Sequence, residues 1–467
     1  MSSPWRSPAR LLSVALVLAA TLPPQGAGGG DPLPFLCLVC GPTGTAELLL
    51  NAALFLPLGL AVARPGEAGP GAAAALAWGL ALSAGVEAAQ TVVPGRYPAL
   101  GDLAANAAGA GAGGLLAVTS PAWLRPSPAA SGRMAAAWGA VVAAAALATG
   151  ALLAPSLPPS AWWVQRAPEL GHLEHFPGRV LTARSGDAEL PAGRMSTADR
   201  RRLAGRLAAG PELAATVRSG PDTDGLAPIL SVFDGREREI FLLGQDGRDL
   251  VFRLRRRAAD AGLYAPAHRA AGLLEGSRPG DTLALGVRPD TAAPAAWPPG
   301  GGKAGLCLRA GDARRCGLGF RVGRGWTLLA GIDVPPALAR WLDGAWIALM
   351  FLPLGFWTRA GPGRARVRAG WLVGLAAAAG GLLAAPAAGP LLGAGAAELL
   401  GAGAGLAAGV LAHRWVGTAS PEARGPGPGR TGPPGRPEGD PPEPSDPSGP
   451  AGGREDPQSP SPASSSP

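Results

Sequence analysis

Long apolar runs come in two blocks, and the stretch between them, residues 155–340, contains none. The first block holds runs at 11–22, 48–63, 70–92, 101–118 and 134–154, and the second holds runs at 341–358, 369–386 and 391–412. A bilayer span takes roughly 20 mostly apolar residues, fewer where neighbours thin the membrane. The pattern predicts an α-helical polytopic membrane protein of about eight spans, with the lipid bilayer as its first partner. The run at 11–22 follows Arg6 and Arg10 and has the build of a signal peptide or of a first helix. Because further helices follow, a retained helix within segment 1–30 is the expectation.

In the middle stretch charges are frequent and the apolar segments are short. Ile229-Leu230-Ser231-Val232-Phe233, Ile240-Phe241-Leu242-Leu243, Asp249 to Arg255 and Thr282 to Val287 read as strands. Asp234-Gly235 and Asp246-Gly247 supply turn chemistry between them. Such runs predict an antiparallel all-β sandwich. Residues 417–467 are rich in Pro, Gly and Ser, with almost nothing apolar to bury, and are expected to be disordered. The expected domains are therefore 1–30, a helical unit at 45–154, the sandwich at 155–340, a second helical unit at 341–416 and a tail at 417–467.

Arginine in short loops sets orientation. Arg6 and Arg10, Arg64, Arg125 and Arg133, the group Arg359, Arg364, Arg366 and Arg368, and Arg414 all fall on one side if both ends are inside. Arg96 is the exception. The sandwich is then expected outside the cell membrane and the tail in the cytoplasm. Both cysteine pairs, Cys37/Cys40 and Cys307/Cys316, fall on the outer side, where disulfides persist. Cys307 and Cys316 flank Gly311-Asp312 and are candidates to staple a hairpin. Cys37-Leu-Val-Cys40 has no thioredoxin-like βαβ context, so a redox role is not expected. Lys303 is the sole lysine among 41 basic residues. The excess of Arg, with Ala, Gly and Pro, reflects base composition; no basic stripe interleaved with aromatics points to nucleic acid.

The chain also repeats itself. Ala53-Leu54-Phe55-Leu56-Pro57-Leu58-Gly59 matches Leu349-Met350-Phe351-Leu352-Pro353-Leu354-Gly355, and Gly109-Ala110-Gly111-Ala112 matches Gly401-Ala402-Gly403-Ala404. Two related three-helix units are expected. Polar residues crowd the first. Asn51 precedes Phe55. Ser83, Glu87 and Gln90 share a helix face by their spacing, Arg96 sits in the loop Pro94-Gly95-Arg96, and Asp102 and Asn106 lie one turn apart. The hairpin brings these residues together at the extracytoplasmic membrane edge. An ionisable group within a span costs about 2.5–3.5 kcal/mol and is normally paired, and Arg96 is the expected counter-ion of Glu87 or Asp102. Two readings stand. The cluster is a polar clamp that locks the hairpin, or it is a site for a polar or lipid-linked ligand or an acid/base pair. Aligned on the Gly/Ala motif, Ala394 falls opposite Asp102 and Glu398 opposite Asn106, with no Glu, Gln or Arg counterpart. A clamp is expected in both copies, so this favours function in the first.

The combination Asn51…Phe55-Leu56-Pro57-Leu58-Gly59, Ser83…Glu87…Gln90…Pro94-Gly95-Arg96, Asp102…Asn106…Gly109 resembles the VanZ-like family over residues 45–118, with degenerate echoes from 345 to 412. The resemblance implies an integral membrane protein; the family's founding example is associated with resistance to the glycopeptide teicoplanin. The middle stretch resembles a concanavalin/laminin-G-type jelly roll through Ile229-Leu230-Ser231-Val232, Leu242-Leu243-Gly244-Gln245 and Leu250 to Leu254. Such sandwiches often bind glycans at loops on one rim, but fold is not function.

No GxSxG, HExxH, P-loop or dinucleotide fingerprint is present, and His172 and His175 lack a third ligand nearby. A standard hydrolase or ATPase is not expected, nor are a cofactor or a metal. Three roles remain. The first is an envelope protein binding a cell-wall glycan or lipid-linked precursor. The second is an intramembrane enzyme or carrier acting through Glu87, Arg96 and Asp102. The third is a scaffold. The envelope-binding role is preferred.

Overall fold

Inside a bilayer every backbone N–H and C=O must be paired within the chain, which leaves helices as the solution for apolar runs of this length. The computed structural model describes residues 8–24, 36–64, 70–171, 173–291, 305–332, 334–359 and 364–418. His172, Lys303, Arg6 and the expected disordered tail from 419 on lie outside them. The first block forms α1 (Pro8–Thr21), α2 (Gly44–Val62), α3 (Pro70–Gln90), α4 (Leu100–Val118), the short α5 (Ser120–Leu124) and α6 (Pro128–Leu152). Ser127 caps α6 by accepting the N–H of Ala130, with Pro128 at the first position, where no N–H is needed.

The sandwich follows. Its strands are β1 (Trp162–Arg166), β2 (Arg179–Ser185), β3 (Ala188–Glu189), β4 (Gly193–Arg194), β5 (Leu213–Arg218) and β6 (Leu226–Asp234). They continue as β7 (Glu239–Asp246), β8 (Asp249–Leu254), β9 (His268–Ala270), β10 (Thr282–Pro289), β11 (Leu306–Ala310) and β12 (Ala313–Leu318). Helix α7 (Thr197–Ala209) lies between β4 and β5, and α8 (Arg257–Asp260) between β8 and β9. The strands form two six-stranded antiparallel sheets, in the orders β4-β1-β6-β7-β8-β9 and β12-β11-β10-β5-β2-β3. Their shared core takes Trp162, Ile229, Phe241 and Phe252 from one sheet and Leu213, Val287 and Leu308 from the other. The turn expected at Asp234-Gly235 joins β6 to β7. Burial alone would raise the Asp234 carboxyl, but the Arg238 guanidinium and the N–H groups of Arg236 and Arg238 outweigh it and hold it below the usual range.

The second block contains α9 (Pro336–Phe356), α10 (Arg364–Ala388) and α11 (Ala396–Thr418). Six helices among the described residues are long and apolar enough to cross a membrane: α2, α3, α6, α9, α10 and α11. Of the eight expected spans, α1 is only 14 residues long. The other, α4, is rich in glycine and carries Asp102 and Asn106.

The glycines explain how the helices pair. A Cβ on Gly109 would meet the Ala52 carbonyl oxygen at 2.0 Å, one on Gly113 that of Leu56 at 2.1 Å, and one on Gly59 that of Ala110 at 1.9 Å. Helices α2 and α4 therefore touch backbone to backbone, as small residues permit in lipid. Gly405 stands in the same relation to Ala348 at 2.2 Å, Gly409 to Leu352 at 2.1 Å and Gly355 to Leu406 at 2.1 Å. Every one of these partners is displaced by 296 positions, for example 405 minus 109 and 348 minus 52. The repeat is real packing, and it corrects the alignment expected from the Gly/Ala motif by one helical turn. Glu398, not Ala394, stands opposite Asp102, and Asp343 stands opposite Glu47. The expectation of two three-helix units is also corrected. Helix α3 lies along α4, whereas α10 lies along α6, with Gly374 against the carbonyl of Ala135. The helix pair repeats, and the third helix does not.

The sandwich is fused to one end of the helices. Ala258, Leu263 and Phe320 share one buried cluster with Val142, Ala146, Ile347 and Leu354. The Ala46 N–H at the start of α2 donates to the Gly262 carbonyl at 3.1 Å, and the Leu392 N–H donates to the Phe320 carbonyl at 2.7 Å. At this junction Arg256 is buried with no carboxylate paired to it among the described residues. Its guanidinium donates to the Leu153 carbonyl at 2.7 Å, lies 2.9 Å from His268 Nε2 and stacks 5.2 Å from the Phe320 ring centre. Burial pushes the Arg256 guanidinium down to about 10. At the far end of the helices, Ser131 Oγ donates to the Trp357 carbonyl and Trp357 Nε1 to that of Trp123.

Candidate functional site

The expected polar cluster assembles where α3 ends and α4 begins, on the sandwich side of the helices. Gly95, at a φ of 75°, reverses the chain between them. The cluster has two arms. On the α2 side, Asn51 Nδ2 donates to Asp102 Oδ1 at 2.7 Å. On the α3 side, Asn106 Nδ2 donates to Ser83 Oγ at 2.9 Å, and Glu87 Oε2 accepts the Ala99 N–H at 3.0 Å. Ser83, Glu87, Gln90 and Asn106 are all buried. Gln90 Nε2 donates to the Thr21 carbonyl at 3.1 Å, which ties α3 to the end of α1. Asn106 Oδ1 is buried and unsatisfied.

Arg96 departs from expectation. Its Nε donates to the Pro23 carbonyl at 3.2 Å, and among the described residues it forms no ion pair with Glu87 or Asp102. The chain at Pro23 competes for the guanidinium, while Glu87 and Asp102 take amide donors instead. Each hydrogen bond of the cluster crosses between elements, so together they lock α1, α2, α3 and α4 at one end. Glu87 and Asp102 also remain at that end without a salt bridge among the described residues, although the Arg96 charge is felt at Asp102.

The second helix pair carries a site that the motif alignment hides. Asp343 on α9 accepts Trp326 Nε1 at 2.8 Å and pairs with Arg324 at 3.1 Å. Glu398 on α11 accepts the Gly323 N–H at 3.0 Å and the Gly395 N–H at 2.5 Å. Trp326, Arg324 and Gly323 belong to the 3-10 segment Val322–Leu328, which leaves the sandwich and ties α9 to α11 near their sandwich-side ends. A carboxylate is thus kept at the Asp102 position in both copies, and the inference of function from its absence in the second copy falls. Applying the 296-residue displacement of Phe55 and Phe351 to the whole chain would have found Glu398 and Asp343.

Cys307 and Cys316 form a disulfide across the β11–β12 hairpin, with Cα atoms 4.0 Å apart, and Cys37 is bonded to Cys40. Asp290 lies within 4.8 Å of both sulfurs of the first pair, but sulfurs joined to each other are not thiolate ligands. The Leu36–Cys40 loop covers the top of the α2/α4 seam: the Gly101 N–H donates to the Cys37 carbonyl at 3.1 Å, and a Cβ at 101 would meet the Leu38 oxygen at 2.1 Å.

No curated protein matches the chain, and no solved structure does. Residues 21–122 match the family model described as VanZ/LLP1. That segment runs from the end of α1 into α5 and holds every residue of the polar cluster, and over it the chain is similar to that family.

Proposed function

We propose that this is an integral membrane protein of the bacterial cell envelope that binds and positions a glycan, cell-wall or lipid-linked ligand at the outer face of the cell membrane. The observation that carries this reading is the fusion of the sandwich to the helix ends that bear both carboxylate sites. A ligand held by one part is within reach of the other. Two six-stranded antiparallel sheets support a concanavalin/laminin-G-like assignment, and the short helix-to-helix loops on the sandwich side, whose one arginine is Arg96, support an outer location with the tail in the cytoplasm. The VanZ-like segment connects the proposal to glycopeptide resistance of the teicoplanin type. The full-length protein in nanodiscs should retain peptidoglycan fragments or lipid-linked precursors from a defined panel. Failure across the panel would remove the binding role.

A second reading rests on Glu87 and Asp102, two acids at one membrane edge with which Arg96 forms no direct ion pair among the described residues. It is an intramembrane enzyme or carrier for a lipid-linked substrate, with Arg96, held through Nε by the Pro23 carbonyl, beside the two acids to meet an anionic group. Glu87→Gln and Asp102→Asn should then abolish a teicoplanin phenotype while the protein accumulates normally.

A further inference from the structure

The seam between α9 and α11 opens as a groove of about 810 Å³. Its membrane-level wall is apolar, with the small residues Ala345, Ala348 and Ala404 beside Leu400. Its upper rim carries Arg321, Arg324 and Arg340. Trp341, 77% exposed, stands beside them, where an amphipathic ring marks the boundary between lipid tails and headgroups. In the first copy the equivalent seam is closed at the top by the Leu36–Cys40 loop against Gly101. Here the position of Gly101 is taken by Ala397, whose methyl lines the open groove.

The groove continues upward. A second cavity of about 1050 Å³ shares Arg321 and Gly395 with it and runs along the outer face of the second sheet. Strand alternation puts Arg288 of β10, Arg309 of β11 and Arg314 of β12 on that one face, with the Cys307–Cys316 disulfide among them. Of the six arginines lining the joined cavities, only Arg324 forms an ion pair with a carboxylate among the described residues. The other five line one path from the sheet to the lipid-facing seam, and Arg321 also donates to the Gly393 carbonyl and lies near Glu398.

We propose that this path is a binding site for an anionic, phosphate-headed membrane lipid, its chain in the α9/α11 seam and its headgroup on Arg321 and Arg340. The sheet arginines beyond them would receive any anionic extension of that headgroup. Six arginines outnumber the three lining carboxylates, Asp290, Asp343 and Glu398, each of which already accepts hydrogen bonds from the protein; the apolar part is open to the bilayer, and Trp341 sets the depth at which the two meet. Guanidinium forks suit phosphate oxygens better than a point charge would. This deepens the outer-face ligand reading and rests on it for the natural ligand. The binding itself is measured with purified lipid and does not depend on which way the protein sits in the cell.

The experiment uses the full-length protein in neutral detergent, titrated with phosphatidylglycerol or phosphatidylcholine and read by native mass spectrometry. Phosphatidylglycerol should bind more tightly. The double variant Arg321→Gln/Arg340→Gln should weaken it by about fivefold per arginine. Ala404→Phe, which fills the seam from an exposed position, should weaken both lipids without altering charge. Arg125→Gln/Arg133→Gln, at the opposite helix ends, is the control and should change nothing. Equal binding of the two lipids, or an unaltered arginine double variant, overturns the site. Competition by free glycerol phosphate with no effect of Ala404→Phe would make it a soluble-anion site and overturn the lipid assignment. An Ala404→Phe protein that turns from dimer to monomer with lipid binding intact would give the seam to a second copy and overturn the lipid assignment too. Any of these failures leaves the retention of cell-wall ligands by the sandwich a separate question.

Discussion

Adding one methyl group at Gly405 should separate α9 from α11. The new Cβ would stand 2.2 Å from the Ala348 carbonyl oxygen and 2.9 Å from the Ala348 Cα. Those are backbone atoms in a helix, so neither can rotate away. Restoring ordinary contact requires the helices to part by on the order of 1 Å, and a gap of that size forfeits about a quarter to a half of each dispersion contact it opens. Gly401, Gly409 and Gly355 make the same kind of approach along the seam, so opening it at one point strips contact at the others. Overpacking of this sort costs about 1–3 kcal/mol. Gly403, two residues away on the same helix, meets nothing within 4 Å. Gly403→Ala should therefore be neutral or stabilising, since alanine is the better helix former by up to about 1 kcal/mol. The assay is thermal unfolding of the purified protein in detergent, followed by circular dichroism. Gly405→Ala should lower the midpoint and Gly403→Ala should not. Gly109→Ala, at the equivalent point of the first pair, should behave like Gly405→Ala. Equal midpoints for Gly405→Ala and Gly403→Ala would refute the close approach and, with it, the equivalence of the two helix pairs.

Other consequences are open to direct measurement. His268 is buried beside Arg256, and burial first, then the guanidinium, hold its pKa well below the usual 6.5. The unfolded chain therefore binds a proton at His268 that the folded chain refuses, so stability is full above pH 6.5 and falls as pH drops below it. Denaturant midpoints across about pH 5–8 should show this slope, and His268→Gln should flatten it. Replacing Cys307 and Cys316 together by serine releases a loop with a sequence separation of 9 and should cost about 2.5 kcal/mol by the chain-entropy relation, read as a lower unfolding midpoint of the sandwich under oxidising conditions. Glu87→Ala should destabilise the helical unit by about 1–3 kcal/mol, because the buried Ala99 N–H loses its acceptor. Glu87→Gln keeps an acceptor and should accumulate like the wild type. If it accumulates and also keeps its full phenotype, the intramembrane enzyme reading is finished.

Much of the architecture is written in local pattern. Apolar runs of span length and alternating strands bounded by Asp-Gly turns fall out of period and turn chemistry, and the cysteine spacing around Gly311 marks its hairpin. The polar cluster is legible as a set of residues because helical spacing puts Ser83, Glu87 and Gln90 on one face. Its bonding is not. Whether Arg96 meets a carboxylate or the Pro23 carbonyl depends on where the segment after α1 passes, and no spacing encodes that. The repeat shows the same boundary. Matching glycines by motif pairs Gly401 with Gly109, but in a helix where small residues recur every few positions the glycines alone do not fix the register; the carbonyl each one touches does, in agreement with the displacement of Phe55 and Phe351. Arg256 and the arginine path give no signal in sequence at all, since both arise from strands and helices far apart in the chain meeting at one surface.

The central claim is that the sandwich and the carboxylate-bearing helix ends lie together at the outer face of the membrane. Val92, 82% exposed, lies in the loop between α3 and α4 on that side, and Ser127 lies exposed at the opposite end. The four native cysteines are paired in disulfides and should not react. Single cysteines at these two positions can be treated in intact cells with a membrane-impermeant maleimide. The account predicts labelling of Val92→Cys at once and of Ser127→Cys only after permeabilisation. The reverse pattern would contradict it and place the sandwich inside the cell.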